Sequence, residues 1–392
     1  MKKIIIILIH SIGLFAYHGH IYSKSHHHAM HAKIDACLKR WEEQKFFSGS
    51  VLVAEHGKVI LSQGYGMANY ELDVPNTPDT KFRLGSMSKQ FTAYAIIQLQ
   101  EQSLLSVDDT LDKYIPDYPE GNRITINQLL THTSGIPNFT SLPEYEQLAV
   151  LPTTLNEIIA TFKDKALNFQ PGLQHRYSNS GYILLTDIIE KVSGQAYAQY
   201  LQDHIFTPLG MHNSGYDRHE LVLHNRASGY SLYKQPKDAA QDACDIIQNA
   251  SYINMQVPSG AGALYSTVSD LLLWDRFLHR NQAINRLISS LVKIDAQKEE
   301  LAAMNYGYGV VVDTDYPLLH KKIIGHNGGI NGFATAMNHF VDEDIVIIVL
   351  SNFDFTPISK LSHNIDHILF GQEYELPVKT RKMTFQDNEK RK

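Results

Sequence analysis

The residues of this chain that could supply a nucleophile and its base are the serine and lysine of Ser-x-x-Lys, a spacing that occurs three times. The three copies are Ser86–Lys89, Ser231–Lys234 and Ser290–Lys293. On a helix, positions i and i+3 share a face, so this spacing holds an amine within reach of a serine hydroxyl. The spacing indicates nucleophilic chemistry only in a helical context.

Ser86 has the context that suits this chemistry. It follows Leu84 and Gly85 and opens a segment with apolar residues at helical intervals, so its hydroxyl is expected at a helix N-terminus. Backbone N–H groups and the helix dipole favour negative charge there, as an alkoxide or oxyanion needs. The alternative is an N-cap serine with Lys89 pointing into solvent. The other two copies lie in a loop-like stretch and in a segment that leads into a charged run.

Two further segments carry residue types that could complete such a site. Tyr177-Ser178-Asn179 precedes a helical pattern, although Tyr-x-Asn also recurs at Tyr252–Asn254. The segment Gly325–Gly329 leads into a strand that begins at Phe333. Its glycines would let a strand edge approach a ligand closely, with a backbone N–H directed at a reacting carbonyl oxygen. The alternative for this segment is a glycine-rich turn.

The elements that must position these segments are strands near both ends of the chain and helices between them. Residues 50–54 and 59–61 alternate around a turn at His56-Gly57, and residues 333–337 and 345–350 form a second hairpin pattern. Because sequential strands tend to pair, we expect both hairpins in one antiparallel sheet. Apolar residues at helical intervals predict six helices, namely Ala32–Trp41, Gln90–Gln100, Thr154–Phe162, Tyr182–Val192, Tyr197–His204 and Ser269–Leu278. The pattern predicts an α/β fold of the α+β type, an antiparallel sheet flanked by helices with an inserted, mostly helical subdomain.

Composition excludes several classes of protein. The 392 residues include 35 Lys and Arg against 41 Asp and Glu, a formal net charge of −6, so a nucleic-acid-binding protein is not expected. With 43% apolar and 10% aromatic residues the chain can bury a large core. The sequence contains no G-x-S-x-G, phosphate-loop or H-E-x-x-H motif, and we expect no cofactor and no metal.

The N-terminal residues resemble a secretory signal. Lys2 and Lys3 precede an apolar run that continues from Ile4 through Ala16, and polar residues follow at 22–25. This pattern predicts a signal peptide over residues 1–25 and an exported protein, periplasmic or secreted, with an uncleaved membrane anchor as the alternative. Residues 26–375 are then the folded domain, and the charged residues 376–392 are expected to be a solvated tail.

Histidines and cysteines suggest little further chemistry. His26, His27, His28 and His31 could hold zinc or nickel, but they precede the first predicted folded segment and are not expected to form a functional site. Cys37 and Cys244 could be two independent thiols or one disulfide, and the sequence leaves both open.

The three segments together carry a family resemblance. In their order and wide spacing, Ser86-Met87-Ser88-Lys89, Tyr177-Ser178-Asn179 and His326-Asn327-Gly328 resemble the penicillin-recognising serine hydrolases. Within them the chain is most similar to the class C β-lactamase branch, which includes D-alanyl-D-alanine carboxypeptidases, D-aminopeptidases and esterases. The flanking segments 82–86, 129–137 and 258–267 agree, and the similarity spans about Phe46 to Asn352. The resemblance implies the β-lactamase/transpeptidase fold.

The resemblance also implies a role for each matching residue. Ser86 would be the acylated nucleophile, and Lys89 would ease its deprotonation. Tyr177 would shuttle a proton, with its pKa lowered by neighbouring cationic groups. Asn179 would hold a substrate amide or orient Lys89.

The strand segment would complete the site. The backbone N–H groups of Gly329 and Ser86 would form an oxyanion hole, and His326 and Gly328 would contact the substrate. The β-lactamases proper of this branch carry Lys-Thr-Gly where this chain has His326-Asn327-Gly328. A histidine supplies little fixed positive charge at neutral pH, so a weak grip on a substrate carboxylate is expected, and strong β-lactamase activity is not.

The sequence thus predicts an exported serine hydrolase that acts through an acyl-enzyme on an amide, ester or β-lactam bond. Its expected partner is a small molecule or peptide, with D-amino-acid peptides of cell-wall type as the natural class if the host is a bacterium. The membrane would be a partner only if the N-terminal segment is retained. Three alternatives remain open: a carboxylesterase of the same fold, a penicillin-binding sensor that does not turn over, and a metallohydrolase built on the N-terminal histidines.

Overall fold

The computed structural model describes residues 27–234, 244–294, 303–316, 319–378 and 382–385. Within them, eight strands form one antiparallel sheet. In spatial order they are β10 (Val292–Lys293), β11 (Met304–Tyr306), β12 (Val311–Tyr316), β13 (Lys321–Ile330), β14 (Phe333–Phe340), β15 (Ile345–Ser351), β1 (Gly49–Glu55) and β2 (Lys58–Tyr65). The two hairpins expected from the sequence lie side by side, because β1 pairs with β15 and places Val51 opposite Val349.

The alternating residues of the central strands divide the interior into two layers. Leu52 of β1 and Ile348 of β15 belong to the core on one face, whereas Val51 and Val349 belong to the core on the other. Helical residues 27–43 (α1) and α12 (Ile358–Leu369) cover the second face. The first face is covered by α2 (Lys89–Glu101), α10 (Val268–Arg280) and the helical subdomain. Burial of both faces explains why these strands are apolar along their whole length.

The helical subdomain lies between the two hairpins in the sequence. Its first helices are α3 (Ile126–Leu130), α4 (Tyr145–Leu148), α5 (Leu155–Phe162) and α6 (Asn179–Ser193). They are followed by α7 (Tyr197–Leu201), a π-helical turn over Gln202–Phe206, α8 (Thr207–Leu209), α9 (Ser259–Gly262) and α11 (Ile284–Leu287). Local signals explain several boundaries: Thr154 and Glu157 form a capping box at the start of α5, and Gly194 ends α6 in the left-handed conformation. The antiparallel sheet, flanking helices and inserted helical subdomain confirm the predicted fold class.

Short strands form three small sheets beside the large one. They pair β3 (Met67–Asn69) with β4 (Val74–Pro75), β5 (Phe82–Arg83) and β6 (Gly215–Tyr216) with β9 (Leu264–Ser266), and β7 (Tyr230–Tyr233) and β16 (Met383–Phe385) with β8 (Asp245–Asn249). β16 pairs parallel to β8, and Met383 is buried. This part of the expected tail therefore packs against the body instead of being solvated, because Met383 and Phe385 join an apolar cluster.

Several predictions concern the chain ends and the cysteines. The predicted signal peptide and most of the charged tail lie outside the described residues. No helix in the described part of the chain is both long enough and apolar enough to cross a membrane. His27 already lies in α1, and its Nε2 is 2.7 Å from Glu55 Oε2, so the histidine tract does not precede the folded part as expected. Cys37 is buried and forms no disulfide with Cys244.

Candidate active site

Ser86 lies where the chain passes from β5 into α2. Residues Gly85–Ser88 form a 3₁₀ turn that runs directly into the helix, close to the predicted helix N-terminus. Gly85 has a φ of +54°, and a Cβ there would lie 2.8 Å from the backbone nitrogen of Gly329. Only glycine combines this conformation with so close an approach to β13. The turn and the strand edge are thereby brought into contact beside Ser86.

Lys89 lies in the interior immediately behind Ser86. Its side chain is fully buried, and its Nζ is 3.1 Å from Ser86 Oγ, 2.8 Å from Asn179 Oδ1 and 2.7 Å from the carbonyl oxygen of Ala261. Burial lowers the pKa of Lys89 well below its ordinary value, because the charged form loses hydration. A neutral amine donates two N–H groups and keeps one lone pair. The asparagine and carbonyl oxygens take the two donors, which leaves the lone pair for the hydroxyl proton of Ser86.

Asn179 is held at the start of α6 by a neighbouring turn. Its backbone N–H donates to Asn138 Oδ1 at 3.0 Å, and its Nδ2 donates to Thr140 Oγ1 at 3.2 Å. These bonds direct Asn179 Oδ1 at Lys89. Of the two roles considered for Asn179, the geometry has it orient the lysine. Asn138 and Thr140 were not anticipated from the sequence, since no motif singles out the turn that follows residues 129–137.

Tyr177 packs over the same lysine. Its ring centroid is 4.9 Å from Lys89 Nζ, and the ring of His132 packs against it at 4.2 Å. The hydroxyl is shielded from solvent beside Ser86, without a hydrogen bond of ordinary length to any described residue. Burial raises the pKa of Tyr177, and the contact with Ser86 opposes this only in part. The expected lowering of this pKa is therefore wrong, because the loss of hydration on burial outweighs the contact with Ser86.

His326 lies behind Tyr177, and its ring makes two polar contacts. Nδ1 is 2.5 Å from the carbonyl oxygen of Asn327, and Nε2 is 3.0 Å from Tyr306 Oη. The carbonyl oxygen can only accept, so Nδ1 carries the proton and Nε2 accepts from the tyrosine. Burial lowers the pKa of His326 to about 4. His326 is therefore uncharged at neutral pH and faces Tyr306 instead of Ser86.

The two glycines that follow have different surroundings on β13. A Cβ on Gly328 would lie 2.0 Å from the carbonyl oxygen of Leu84, so the strand can pass the segment before Ser86 only with glycine here. Gly329 is exposed, and a Cβ there would meet no atom within 4 Å. Gly329 and Ser86 line one cavity, which brings the two residues expected to supply oxyanion-hole N–H groups to a common space.

This cavity has a volume of about 190 Å³. Its apolar wall is made by Phe139, Tyr145, Ile253 and Ile330, and its polar groups include Thr140, Asn179 and Asn331. A second cavity of about 350 Å³ begins further along the same segments, at Tyr177, His326 and Asn327, and continues past Tyr306, Asp313 and His363. Among the described residues that line the two cavities, none is lysine or arginine.

The serines and lysines of the other two Ser-x-x-Lys copies line neither cavity. Ser231 is on β7, and Ser290 lies in a bend two residues before β10. Successive residues of β7 point to opposite faces, so a lysine three positions after Ser231 does not share its face. Tyr252 is 51% exposed and lines neither cavity. The copies that come together are Ser86–Lys89 and Tyr177–Asn179, and the glycine segment that starts at Gly325 lies beside them.

The sequence and the fold match known proteins. Residues 34–368 match the beta-lactamase family. Penicillin-binding protein 4* of Bacillus subtilis (strain 168) is 30% identical over 346 residues, which are 86% of this chain and 75% of that protein. The chain spans 62% and 55% of two further curated relatives.

Solved structures agree in fold. The octameric penicillin-binding protein homologue from Pyrococcus abyssi has a TM-score of 0.74 and 27% identity, covering 87% of this chain and 78% of that one. D-amino acid amidase from Ochrobactrum anthropi SV3, complexed with D-phenylalanine, also has a TM-score of 0.74, with 23% identity. The alignment covers 87% of this chain and 98% of the amidase chain. At that identity the likeness shows the fold alone. The family match and the relatives establish that the chain belongs to the beta-lactamase family and is a serine hydrolase of that fold.

Proposed function

We propose that this protein hydrolyses an amide or ester bond through an acyl-enzyme on Ser86, with Lys89 as the general base. The observation that carries the proposal is the buried Lys89 amine, 3.1 Å from Ser86 Oγ and fixed by two acceptors. A neutral amine in this position can take the hydroxyl proton at neutral pH without first losing one of its own.

Acylation then follows from the geometry. Ser86 Oγ attacks the substrate carbonyl carbon while its proton passes to Lys89, which becomes an ammonium. The carbonyl oxygen becomes an oxyanion in the cavity lined by Ser86 and Gly329. There it accepts hydrogen bonds from the backbone N–H groups of these two residues. One such donor contributes about 2.7–4 kcal/mol in other hydrolases.

Tyr177 takes the part of a proton donor in this scheme. Its raised pKa keeps the phenol protonated, so it can give its proton to the leaving nitrogen or oxygen and recover one from the ammonium of Lys89. Collapse of the tetrahedral intermediate breaks the bond to the leaving group and leaves Ser86 acylated. A water then attacks the acyl carbon while its proton passes to Lys89. The bond between the acyl carbon and Ser86 Oγ breaks, Ser86 takes the proton from Lys89, and the acid product departs.

The charges around the site support a substrate without a carboxylate near the scissile bond. The cavity beside Ser86 would take the acyl part, and the larger cavity, which Tyr177 lines, would take the leaving group. Neither has a lysine or arginine among its described lining residues, and His326 is uncharged. Asp313 in the larger cavity would repel a carboxylate further. We therefore place D-amino-acid amides and esters ahead of free-acid peptides and β-lactams.

The acyl-enzyme assignment can be tested with a fluorophosphonate probe whose attachment is mapped by mass. Ser86→Ala should abolish labelling, whereas Ser290→Ala, the serine of another Ser-x-x-Lys, should label like the wild type. Labelling that persists in Ser86→Ala would refute the nucleophile. Equal loss in Ser290→Ala would show that the change reports stability instead of chemistry.

Substrate class needs a separate panel. D-amino-acid p-nitroanilides, p-nitrophenyl esters, free-acid D-alanyl peptides and nitrocefin should be compared by kcat/KM, and we expect the uncharged anilides and esters to be preferred. A preference for the free-acid peptide would overturn the charge argument but not the acyl-enzyme.

A second candidate function is penicillin binding without turnover. The name of the 30% identical relative from Bacillus subtilis supports it. It predicts that a fluorescent penicillin labels Ser86 stoichiometrically and that no substrate of the panel is turned over. Steady turnover of any panel substrate would exclude it.

We also propose that residues 1–25 export the protein. The support is the pair Lys2 and Lys3 before the apolar run in the sequence. Expression of the whole chain in a bacterial host, followed by N-terminal sequencing of the mature protein, tests this. Recovery of the intact N-terminus from the soluble cytoplasm would contradict export.

A further inference from the structure

Three side chains that commonly bind metals meet at a place that the hydrolase chemistry does not use. Asp275 and His279 lie four residues apart on one face of α10, and His339 lies on β14. One possible ligand atom from each falls within 4.8 Å of the other two. His339 is five residues along β14 from Ala334, the partner of Gly329, and is therefore about 17 Å from that end of the strand.

The distances between these atoms suit a small tetrahedral ion. His339 Nδ1 is 3.0 Å from Asp275 Oδ1, and His279 Nε2 is 3.8 Å from the same oxygen. Zinc bonds of about 2.0–2.1 Å in tetrahedral geometry separate neighbouring donor atoms by about 3.3 Å. The two observed distances bracket that value. The imidazole rings stack 3.5 Å apart at 10°, so their in-plane lone pairs run nearly parallel, and one ring must turn out of the stack before all three donors can point at one ion.

The surroundings supply the outer contacts that a metal-bound histidine usually has. His339 Nε2 faces Asp344 Oδ1 at 3.9 Å, and the other oxygen of that carboxylate is 3.6 Å from His56 Nδ1. A carboxylate behind the second ring nitrogen fixes the tautomer and strengthens the ligand. Asp344 is half exposed and lies in the turn between β14 and β15, which leaves an approach from solvent.

We propose that Asp275, His279 and His339 form a binding site for a divalent cation of the zinc class, which fastens the last turns of α10 to the end of the sheet. Two imidazole nitrogens and one carboxylate oxygen form a donor set that favours zinc over calcium or magnesium. A water would fill the fourth position.

The proton on the His339 ring can be accounted for on binding. A histidine ligand presents a ring lone pair to the ion. In the metal-free protein a proton on His339 Nδ1 can be donated to Asp275 Oδ1, 3.0 Å away. On binding, this proton moves to Nε2, which faces Asp344, and Nδ1 becomes a ligand.

The test uses the full chain after chelator treatment, with ZnSO₄ titrated by calorimetry. The N-terminal histidines are a competing site, so all proteins carry asparagine at 26, 27, 28 and 31. In this background we expect one zinc per chain and a rise in melting temperature of roughly 2–5 °C at 100-fold excess over Kd. Bound Co²⁺ should give the visible absorption of a tetrahedral site.

The variants separate a site from adventitious binding. His279→Gln should weaken zinc binding by about 100-fold or more, and Asp344→Asn by about 10–100-fold. His204→Gln removes a histidine elsewhere and should change nothing. Fluorophosphonate labelling of Ser86 should be normal in all three, which shows that they are folded. Absence of zinc binding in the background chain, or unchanged affinity in His279→Gln, would show that Asp275 and His339 form only a buried ion pair.

Discussion

The contact between Asn179 and Lys89 provides a direct test of the neutral amine. Asn179→Asp is nearly isosteric and places a carboxylate oxygen 2.8 Å from Lys89 Nζ. Coulomb's law with an effective dielectric constant of about 20 gives about 6 kcal/mol of attraction to an ammonium at this distance. A tenfold change in a protonation equilibrium takes about 1.4 kcal/mol. Even one third of the attraction therefore shifts Lys89 toward its charged form about 30-fold.

The assay is the rate of fluorophosphonate labelling from pH 6 to pH 10. In the wild type the rate should rise as Lys89 loses its proton and level off above the lowered pKa of this residue. In Asn179→Asp the rise should move to higher pH, and an about 30-fold shift of the equilibrium makes labelling at pH 7 slower by up to about 30-fold. Asn331→Asp is the matched control, since it adds the same charge to the cavity wall without contacting Lys89. Coincident profiles in all three proteins would refute Lys89 as the base.

Further predictions test other parts of the molecule. Tyr177→Phe should lower kcat by about 100- to 10,000-fold, whereas Tyr252→Phe, in the exposed copy of the motif, should leave kcat unchanged; equal rates would remove Tyr177 from proton transfer. Gly328→Ala should destabilise the protein, because the added Cβ would lie 2.0 Å from the carbonyl oxygen of Leu84. Gly329→Ala should have a melting temperature within about a degree of the wild type, because a Cβ there meets no atom within 4 Å. Scanning calorimetry of both variants tests this difference. Burial raises the pKa of Asp366 from 3.8 to about 7, so its contribution to stability is complete below about pH 3.8 and is lost as the pH rises to about 7. Asp366→Asn should therefore gain about 3 kcal/mol over the wild type between pH 5 and pH 8 in chemical unfolding, and a constant difference would contradict this.

Patterns that persist over a whole element predicted the fold. β1 and β15 are buried on both faces, so their apolar residues continue without interruption, and α2 and α10 repeat apolar residues at helical intervals. Strands of two or three residues, such as β5 and β16, are too short to show a period, and neighbouring segments decide whether they pair. The contact between His27 of α1 and Glu55 likewise joins residues far apart in the sequence, and no local pattern encodes it.

The candidate site was predictable where its geometry is local. Ser86 and Lys89 are one helical turn apart, so their spacing alone places hydroxyl and amine together. Ala261 was not predictable as the second acceptor for Lys89, because any residue type presents the same carbonyl oxygen. The pKa of Tyr177 was expected in the wrong direction, since burial, which no motif encodes, outweighs the effect of nearby basic side chains.

Burial disfavours the charged forms of the ionisable groups around Ser86. The same cause lowers the pKa values of Lys89 and His326 and raises that of Tyr177. No lysine or arginine among the described lining residues of the two cavities can pair with a charged group of the substrate. In the proposed mechanism, the site therefore interacts most strongly with the charges that form during acylation, on the oxyanion beside Gly329 and on Lys89. Interactions that are stronger in the transition state than in the ground state raise kcat, whereas a permanent cation would also bind the ground state. Under the proposed function, a buried histidine at position 326 should therefore lower the affinity for carboxylate substrates, and this is the reason why we expect amides and esters to be preferred to free-acid peptides.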